Sequence, residues 1–90
     1  MSNLAAIFKN HKAFIPFVVA DDPDFDTTVK NIVALAHGGA DIVELGIPFS
    51  DPVADGPVIQ AADLRAFAAN VRTKTVFEIV AAARKETAVP

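Results

Sequence analysis

Between Phe14 and Gly46 the apolar pattern of the chain changes period twice, which narrows the folds open to it. Phe14-Ile15-Pro16-Phe17-Val18-Val19 is a short apolar run rich in β-branched and aromatic residues, as expected of a buried strand. Pro16 has no N–H to give to a ladder, so either that position faces no neighbour or the strand begins there. Asp21-Asp22-Pro23-Asp24 is turn chemistry. Phe25, Val29, Ile32, Val33 and Ala36 then recur at helical spacing as one stripe. Asp24 and Asp26 suit the positive end of that helix's dipole, and Gly38-Gly39 supplies its stop. Asp41 to Gly46 reads as a second strand. Strand, helix and strand within about thirty residues make a right-handed βαβ unit with parallel strands.

The flanks extend this order. Leu4, Ile7 and Phe8 follow two competent N-caps, Ser2 and Asn3, and predict a short helix over 3–10. Gly46 to Gly56 is a long loop of glycine, proline and aspartate at the carboxyl end of the second strand. Pro57 opens a further helix with Ala61, Leu64 and Ala68 on one face, ended at Asn70. A last helix starts near Thr73; its stripe is Val76, Ile79, Val80 and Ala83, and Arg84 and Lys85 suit its C-terminus. Thr87 to Pro90 is extended, as if approaching a third strand. Alternating β and α elements indicate a parallel sheet covered by helices. A doubly wound sheet and a (βα)8 barrel both start this way, and periodicity does not separate them.

Ninety residues are enough for one small domain and bury only about 60–65% of the unfolded surface. A composition of 52% hydrophobic and 21% charged residues is globular. The mean hydropathy of +0.37 is high for so small a soluble domain, and points to an incomplete piece of a larger one. A net charge of −3 argues against nucleic acid, because phosphate binding needs a basic face. The absence of cysteine rules out disulfides and thiolate metal sites. The longest apolar runs fall far short of the roughly 20 residues that span a bilayer, and no signal-peptide pattern opens the chain. The expectation is a cytoplasmic protein that binds neither membrane nor nucleic acid.

Ligands of parallel α/β folds sit at the carboxyl ends of the strands, here Ala20–Asp24 and Glu44–Asp55. Glu44 is the sharper signal. Alternation puts Ile42 and Glu44 on one sheet face and Val43 and Leu45 on the other. A carboxylate in an apolar strand is costly to bury unless paired or protonated; alternatively, Glu44 lies on an edge strand and meets water. Asp55 lies in the loop that follows, and two carboxylates at one strand mouth can divide proton transfer and charge stabilisation between them. Asp55 serves equally as a cap for the helix at Pro57, the more ordinary role. Asp21, Asp22, Asp24 and Asp26 raise a divalent-metal hypothesis, but they lack the glycine and terminal glutamate of an EF-hand loop and read as a turn with helix-start charges. His11 and His37 sit in no ligand spacing, so no metal site is expected.

The string ELGIPFSDPVADGPVIQAADLRA (Glu44–Ala66) closely resembles the signature of tryptophan synthase alpha chains, in which a glutamate ends strand two and S-D-P-x-A-D-G-P follows. The likeness extends through FIPFVVADDP (Phe14–Pro23) and downstream through AFAANV and FEIV. It implies the first βαβα units of a (βα)8 TIM barrel, with parallel strands and a short N-terminal helix, residues 1–90 being an incomplete N-terminal portion of one domain. It also implies a lyase of tryptophan biosynthesis that cleaves indole-3-glycerol phosphate into indole and glyceraldehyde 3-phosphate. By position, Glu44 matches the catalytic acid/base and Asp55 the aspartate that binds the indole N–H. Phe17 matches an apolar wall of the indole pocket, and Ser50, Asp51 and Pro52 match a loop facing the beta subunit of an α2β2 heterotetramer. The resemblance places pyridoxal phosphate in that partner and no cofactor in this chain.

The chain departs from the family pattern at Val19, where threonine is usual, and at Asp21, where glycine is usual. Two other functions fit the same early elements: another phosphate-binding barrel lyase, or a non-catalytic barrel fragment that self-associates or complements a partner segment. The 90 residues alone are expected to be inactive, because a barrel site is assembled from loops on several strands.

Overall fold

The computed structural model describes residues 4–9, 11–48 and 56–90. The elements run α1 (Leu4–Ile7), β1 (Phe17–Val19), α2 (Phe25–His37), β2 (Glu44–Gly46), α3 (Pro57–Ala68) and α4 (Thr73–Arg84). β1 and β2 pair in parallel with Phe17 opposite Glu44, Val18 opposite Leu45 and Val19 opposite Gly46. This is the βαβ unit that the change of period predicts, followed by two helices.

Both strands are shorter than the apolar runs that contain them, and Pro16 shows why. With no N–H of its own, Pro16 takes part only through its carbonyl, which accepts from the Glu44 N–H at 2.9 Å. The Phe14 carbonyl likewise accepts from Asp41 at 2.9 Å. The run before β1 therefore lies beside the run before β2 without a full ladder. On the far side of β2 the Val43 N–H donates to the Pro90 carbonyl at 2.9 Å, so the extended tail does begin to lie along β2.

α2 is capped as its sequence suggests. Asp24 is extended and its carboxylate accepts from the Thr27 N–H at 2.8 Å. The Thr28 hydroxyl, buried, donates to the Asp24 carbonyl at 2.7 Å. At the other end Gly38 donates to Ala34, and Gly39 turns the chain with φ 104°, a conformation that favours glycine. Asn70 ends α3 with φ 64°. α1 is shorter than the predicted 3–10 and buries no residue; a single turn cannot sustain itself without packing.

The main core lies between one sheet face and two helices. Ala20, Ile32, Val76, Ile79 and Ala83 are buried together, with Val18, Val43, Leu45, Phe25, Val29 and Val89 around them. A second, smaller cluster joins Val19 to Ala62 and Ala66 of α3, flanked by Ile59 and Val71. The stripe expected on α3 is not the buried one: Ala61, Leu64 and Ala68 face solvent, and Ala62, Asp63 and Ala66 are inside. α3 is apolar on nearly every side, so its own period is shallow. Contact with Val19 selects the face.

Candidate active site at the Phe17–Glu44 rung

Register brings Phe17 and Glu44 side by side, because partners across a parallel pair point to the same face. Each is the first residue of its strand, so Glu44 opens β2 where the resemblance implies that it ends the strand; the ladder starts only after Pro16. Gly46 shares that face, and the Phe17 ring leans over it. A β-carbon placed on Gly46 would come within 2.4 Å of the Phe17 ζ-carbon, closer than side chains tolerate. The glycine therefore gives the aromatic ring its seat beside the glutamate. Phe17 is 47% exposed and Glu44 is exposed, whereas Val19, further along the same face, is buried under α3.

Of the two sequence readings for Glu44, the structure takes the solvent-facing one, for a different reason than an edge. β2 has β1 on one side and the Pro90 carbonyl on the other. Glu44 meets water because α3 covers that face only at Val19, while the opposite face of the same strand is packed in the core. Asp55, Ser50, Asp51 and Pro52 lie outside the described residues.

The turn after β1 holds three carboxylates with three distinct fates. Asp21 is 4% exposed at φ 66°, and its Oδ1 has no hydrogen-bond partner. Burial, with a smaller contribution from the Asp24 charge, raises its carboxyl above the ordinary aspartate range. Asp22 accepts a two-pronged contact from Arg65, Nε to Oδ1 at 2.6 Å and Nη2 to Oδ2 at 3.1 Å. Asp24, through the Thr27 N–H above all, is held below that range. The acidic run is thus spent on a left-handed turn, an ion pair and a helix cap. No group of three or more potential ligands is gathered for a metal among the described residues.

Asp21 stands where the resemblance implies glycine, and its φ is the left-handed one that glycine adopts freely. The substitution keeps the turn and buries a carboxyl in it.

His11, which sits in no ligand spacing, is exposed but engaged: its Nε2 lies 3.1 Å from Asp41. Asp41 also accepts from the Phe14 N–H at 2.8 Å, and that bond first, then His11, lowers its carboxyl. This pair ties the two segments together as they enter the sheet, three residues before the Phe17–Glu44 rung. Sequence reasoning missed the Asp22–Arg65 pair, whose members are 43 residues apart, and the seat at Gly46. The period-two register could have found the second.

Two hollows flank the strands. One of about 170 Å³ is bounded by Ile47 and Pro48, just past β2, and by Phe67, Val71, Arg72, Thr73 and Val76. The other, about 70 Å³ and mainly apolar, lies between Ile32, Leu45, Val80 and the Val89–Pro90 tail. Neither is lined by Phe17 or Glu44.

Comparison with known proteins identifies the family. A family model for the tryptophan synthase alpha chain matches residues 3–90. The tryptophan synthase alpha chain of Lacticaseibacillus casei is 89% identical over all 90 residues, which span 34% of that protein. That of Lactiplantibacillus plantarum is 63% identical over the same span and again covered over 34% of its length. Among solved structures, the tryptophan synthase α2β2 complex of the hyperthermophile Pyrococcus furiosus aligns with a TM-score of 0.82 at 40% identity, over 87% of this chain and 31% of that one. Tryptophan synthase from M. tuberculosis aligns with a TM-score of 0.83 at 36% identity, over 91% and 35%. The chain spans about a third of the length of the curated relatives it matches.

Proposed function

The chain belongs to the tryptophan synthase alpha chain family, and from that premise we propose that it supplies the first strands and the proton-moving carboxylate of a carbon–carbon lyase acting on indole-3-glycerol phosphate. The observation that carries this reading is the pairing of Phe17 with Glu44, both exposed, on one face of the strand pair. An aromatic wall beside a carboxylate suits a substrate that is a flat ring with a hydroxylated side chain.

In the retro-aldol step Glu44 delivers a proton to indole C3, which converts the ring to its positively charged tautomer. Removal of the proton from the adjacent glycerol hydroxyl then forms the aldehyde carbonyl. The electrons of the carbon–carbon bond return to the ring, releasing indole and glyceraldehyde 3-phosphate. Glu44 serves both transfers, as acid and then as assisting base. Asp55, one residue before the N-cap Gly56, holds the indole N–H and offsets the charge on the tautomerised ring. Phe17 forms one wall of the ring pocket.

Ser50, Asp51 and Pro52 are the segment assigned to contact with a beta subunit, and the Pyrococcus furiosus relative is itself an α2β2 complex. Pyridoxal phosphate belongs to that partner in this reading. The alpha step moves two protons and one carbon–carbon bond, which side-chain carboxylates can serve. The setting proposed is the cytoplasm; no helix among the described residues is long and apolar enough to cross a membrane.

The test joins these 90 residues to the remaining two thirds of the Lacticaseibacillus casei relative and follows indole release from indole-3-glycerol phosphate. Indole formation is expected. Cleavage of another phosphorylated substrate with this one ignored would favour a different barrel lyase.

A second reading concerns the 90 residues by themselves. Phe14, Phe17, Ile47, Val58, Leu64 and Phe77 are large apolar side chains open to solvent. Tested alone, this polypeptide is expected to release no indole and to self-associate or dock a complementary segment. Sedimentation as a compact 9.5 kDa monomer would contradict the association.

A further inference from the structure

We propose that Arg84 is a positioning residue that straps the segment after α4 onto β2, and so fixes the backbone at Glu44. The inference rests on the lyase reading above and extends it to a residue outside the Phe17–Glu44 rung.

The strap is built from local bonds. Arg84 closes the last turn of α4, where the helix dipole favours a cation. Its Nη1 donates to the Val89 carbonyl and, at 3.5 Å, to the Thr87 carbonyl. The Thr87 N–H donates back to the Ala83 carbonyl at 3.0 Å, and the Thr87 Oγ1 accepts from the Val89 N–H at 3.2 Å. Guanidinium and hydroxyl thus hold one short turn, from which Val89 reaches the main core. Apolar packing decides which face Val89 takes, but a slip of two residues along β2 would keep that face. The directional bonds of Arg84 and Thr87 select one reach for the tail.

That reach ends beside the backbone that carries Glu44. The Pro90 carbonyl accepts from the Val43 N–H at 2.9 Å, and the Pro16 carbonyl accepts from the Glu44 N–H at 2.9 Å. Consecutive N–H groups of a strand point to opposite edges, so these two bonds clamp β2 from both sides immediately before the Glu44 side chain. The run into β1 supplies one jaw. The strap supplies the other, and Arg84 sets where it closes. Arg84 is exposed, so its role is orientation rather than burial, and it acts on Glu44 through the main chain.

The test uses these 90 residues joined to the remaining two thirds of the Lacticaseibacillus casei relative, and compares Arg84→Met, Arg84→Lys and Thr87→Val with the parent. Amide hydrogen exchange, kcat and KM are read, with Glu44→Gln as the activity control. In Arg84→Met the Val43 amide is expected to exchange about tenfold faster or more, while the amide of buried Ile32 keeps the parent's rate. A misplacement near 1 Å costs up to about a hundredfold in rate, so kcat should fall about tenfold with KM within about twofold of the parent's. Arg84→Lys keeps the charge without the guanidinium and should recover part of both; Thr87→Val should show the same changes more weakly. Unchanged Val43 exchange or unchanged kcat in Arg84→Met would overturn the proposal. So would a rise at Val43 matched at Ile32, which marks general destabilisation rather than a strap. If Arg84→Met does not fold, the same outcomes are read on Thr87→Val. An active Glu44→Gln, or a parent that releases no indole, refutes the lyase reading itself, and Val43 exchange then still decides the strap.

Discussion

On one face of the β1–β2 pair, Val18, Val43 and Leu45 pack with Ile32 of α2 and with Val76, Ile79 and Ala83 of α4. On the other, Phe17 and Glu44 stand open to solvent beside Gly46, and only Val19 is covered, by α3. The backbone is shared and the residues alternate, so one register error would exchange the two faces. The packed face spends its apolar area on stability. The open face keeps an aromatic ring and a carboxylate available, and leaves them to be enclosed by whatever completes a barrel. Asymmetry of this kind explains how three-residue strands can be both a structural unit and a site wall.

Substitutions on each face should separate these roles. The largest stability effect belongs to the packed face. Ile79 is fully buried, and Ile79→Ala is expected to cost about 2–5 kcal/mol through lost burial and the cavity left behind. Equilibrium denaturation of the full-length protein would read it; a cost below that of an exposed position would break the comparison.

Phe17→Ala is the counterpart on the open face. With the ring nearly half exposed, its stability cost is expected near 1 kcal/mol, while KM for indole-3-glycerol phosphate rises about tenfold for the lost wall. A large stability loss with unaltered KM would make Phe17 a core residue.

The smallest effect is on pH dependence, at the turn that closes the strand end. The folded-state carboxyl of Asp21 is raised above its reference of 3.8, so the folded protein holds this proton more tightly than the unfolded chain. Stability from this group is full below pH 3.8 and is lost as pH rises through the folded value. Asp24 and Asp41 are lowered and act oppositely: their stabilisation is present above 3.8 and is lost as pH falls through their folded values. Asp21→Asn, which tolerates the left-handed turn, should remove the decline on the rising side and keep the loss in acid. A pH–stability curve that superimposes on the parent's would contradict this account of Asp21.

Much of the packed face was legible from periodicity. The α2 stripe, its Asp24 cap and its Gly38-Gly39 stop are local features, and the α4 stripe is buried apart from Val80. Strand length was less legible, because Pro16 decides where a ladder can begin. The buried side of α3 was misread because nearly all its faces are apolar, and a distant residue, Val19, makes the choice. Alternation placed Glu44 on its face but carries no information on what covers that face. The Asp22–Arg65 pair spans 43 residues and leaves no local trace. The roles of Asp55, Ser50, Asp51 and Pro52 came from family resemblance, and these residues lie outside the described structure.

The central claim is that the open face carries chemistry while the packed face carries stability, and Glu44 is where the two separate most sharply. The direct measurement is indole release by these 90 residues joined to the remaining two thirds of the Lacticaseibacillus casei relative and bearing Glu44→Gln, at a temperature well below the thermal transition. Loss of the proton-transferring carboxylate should reduce turnover by about a hundredfold to ten-thousandfold. Glu44 is exposed, so the folded fraction should stay that of the parent. Turnover equal to the parent's would show that the carboxylate on the open face does not perform the reaction.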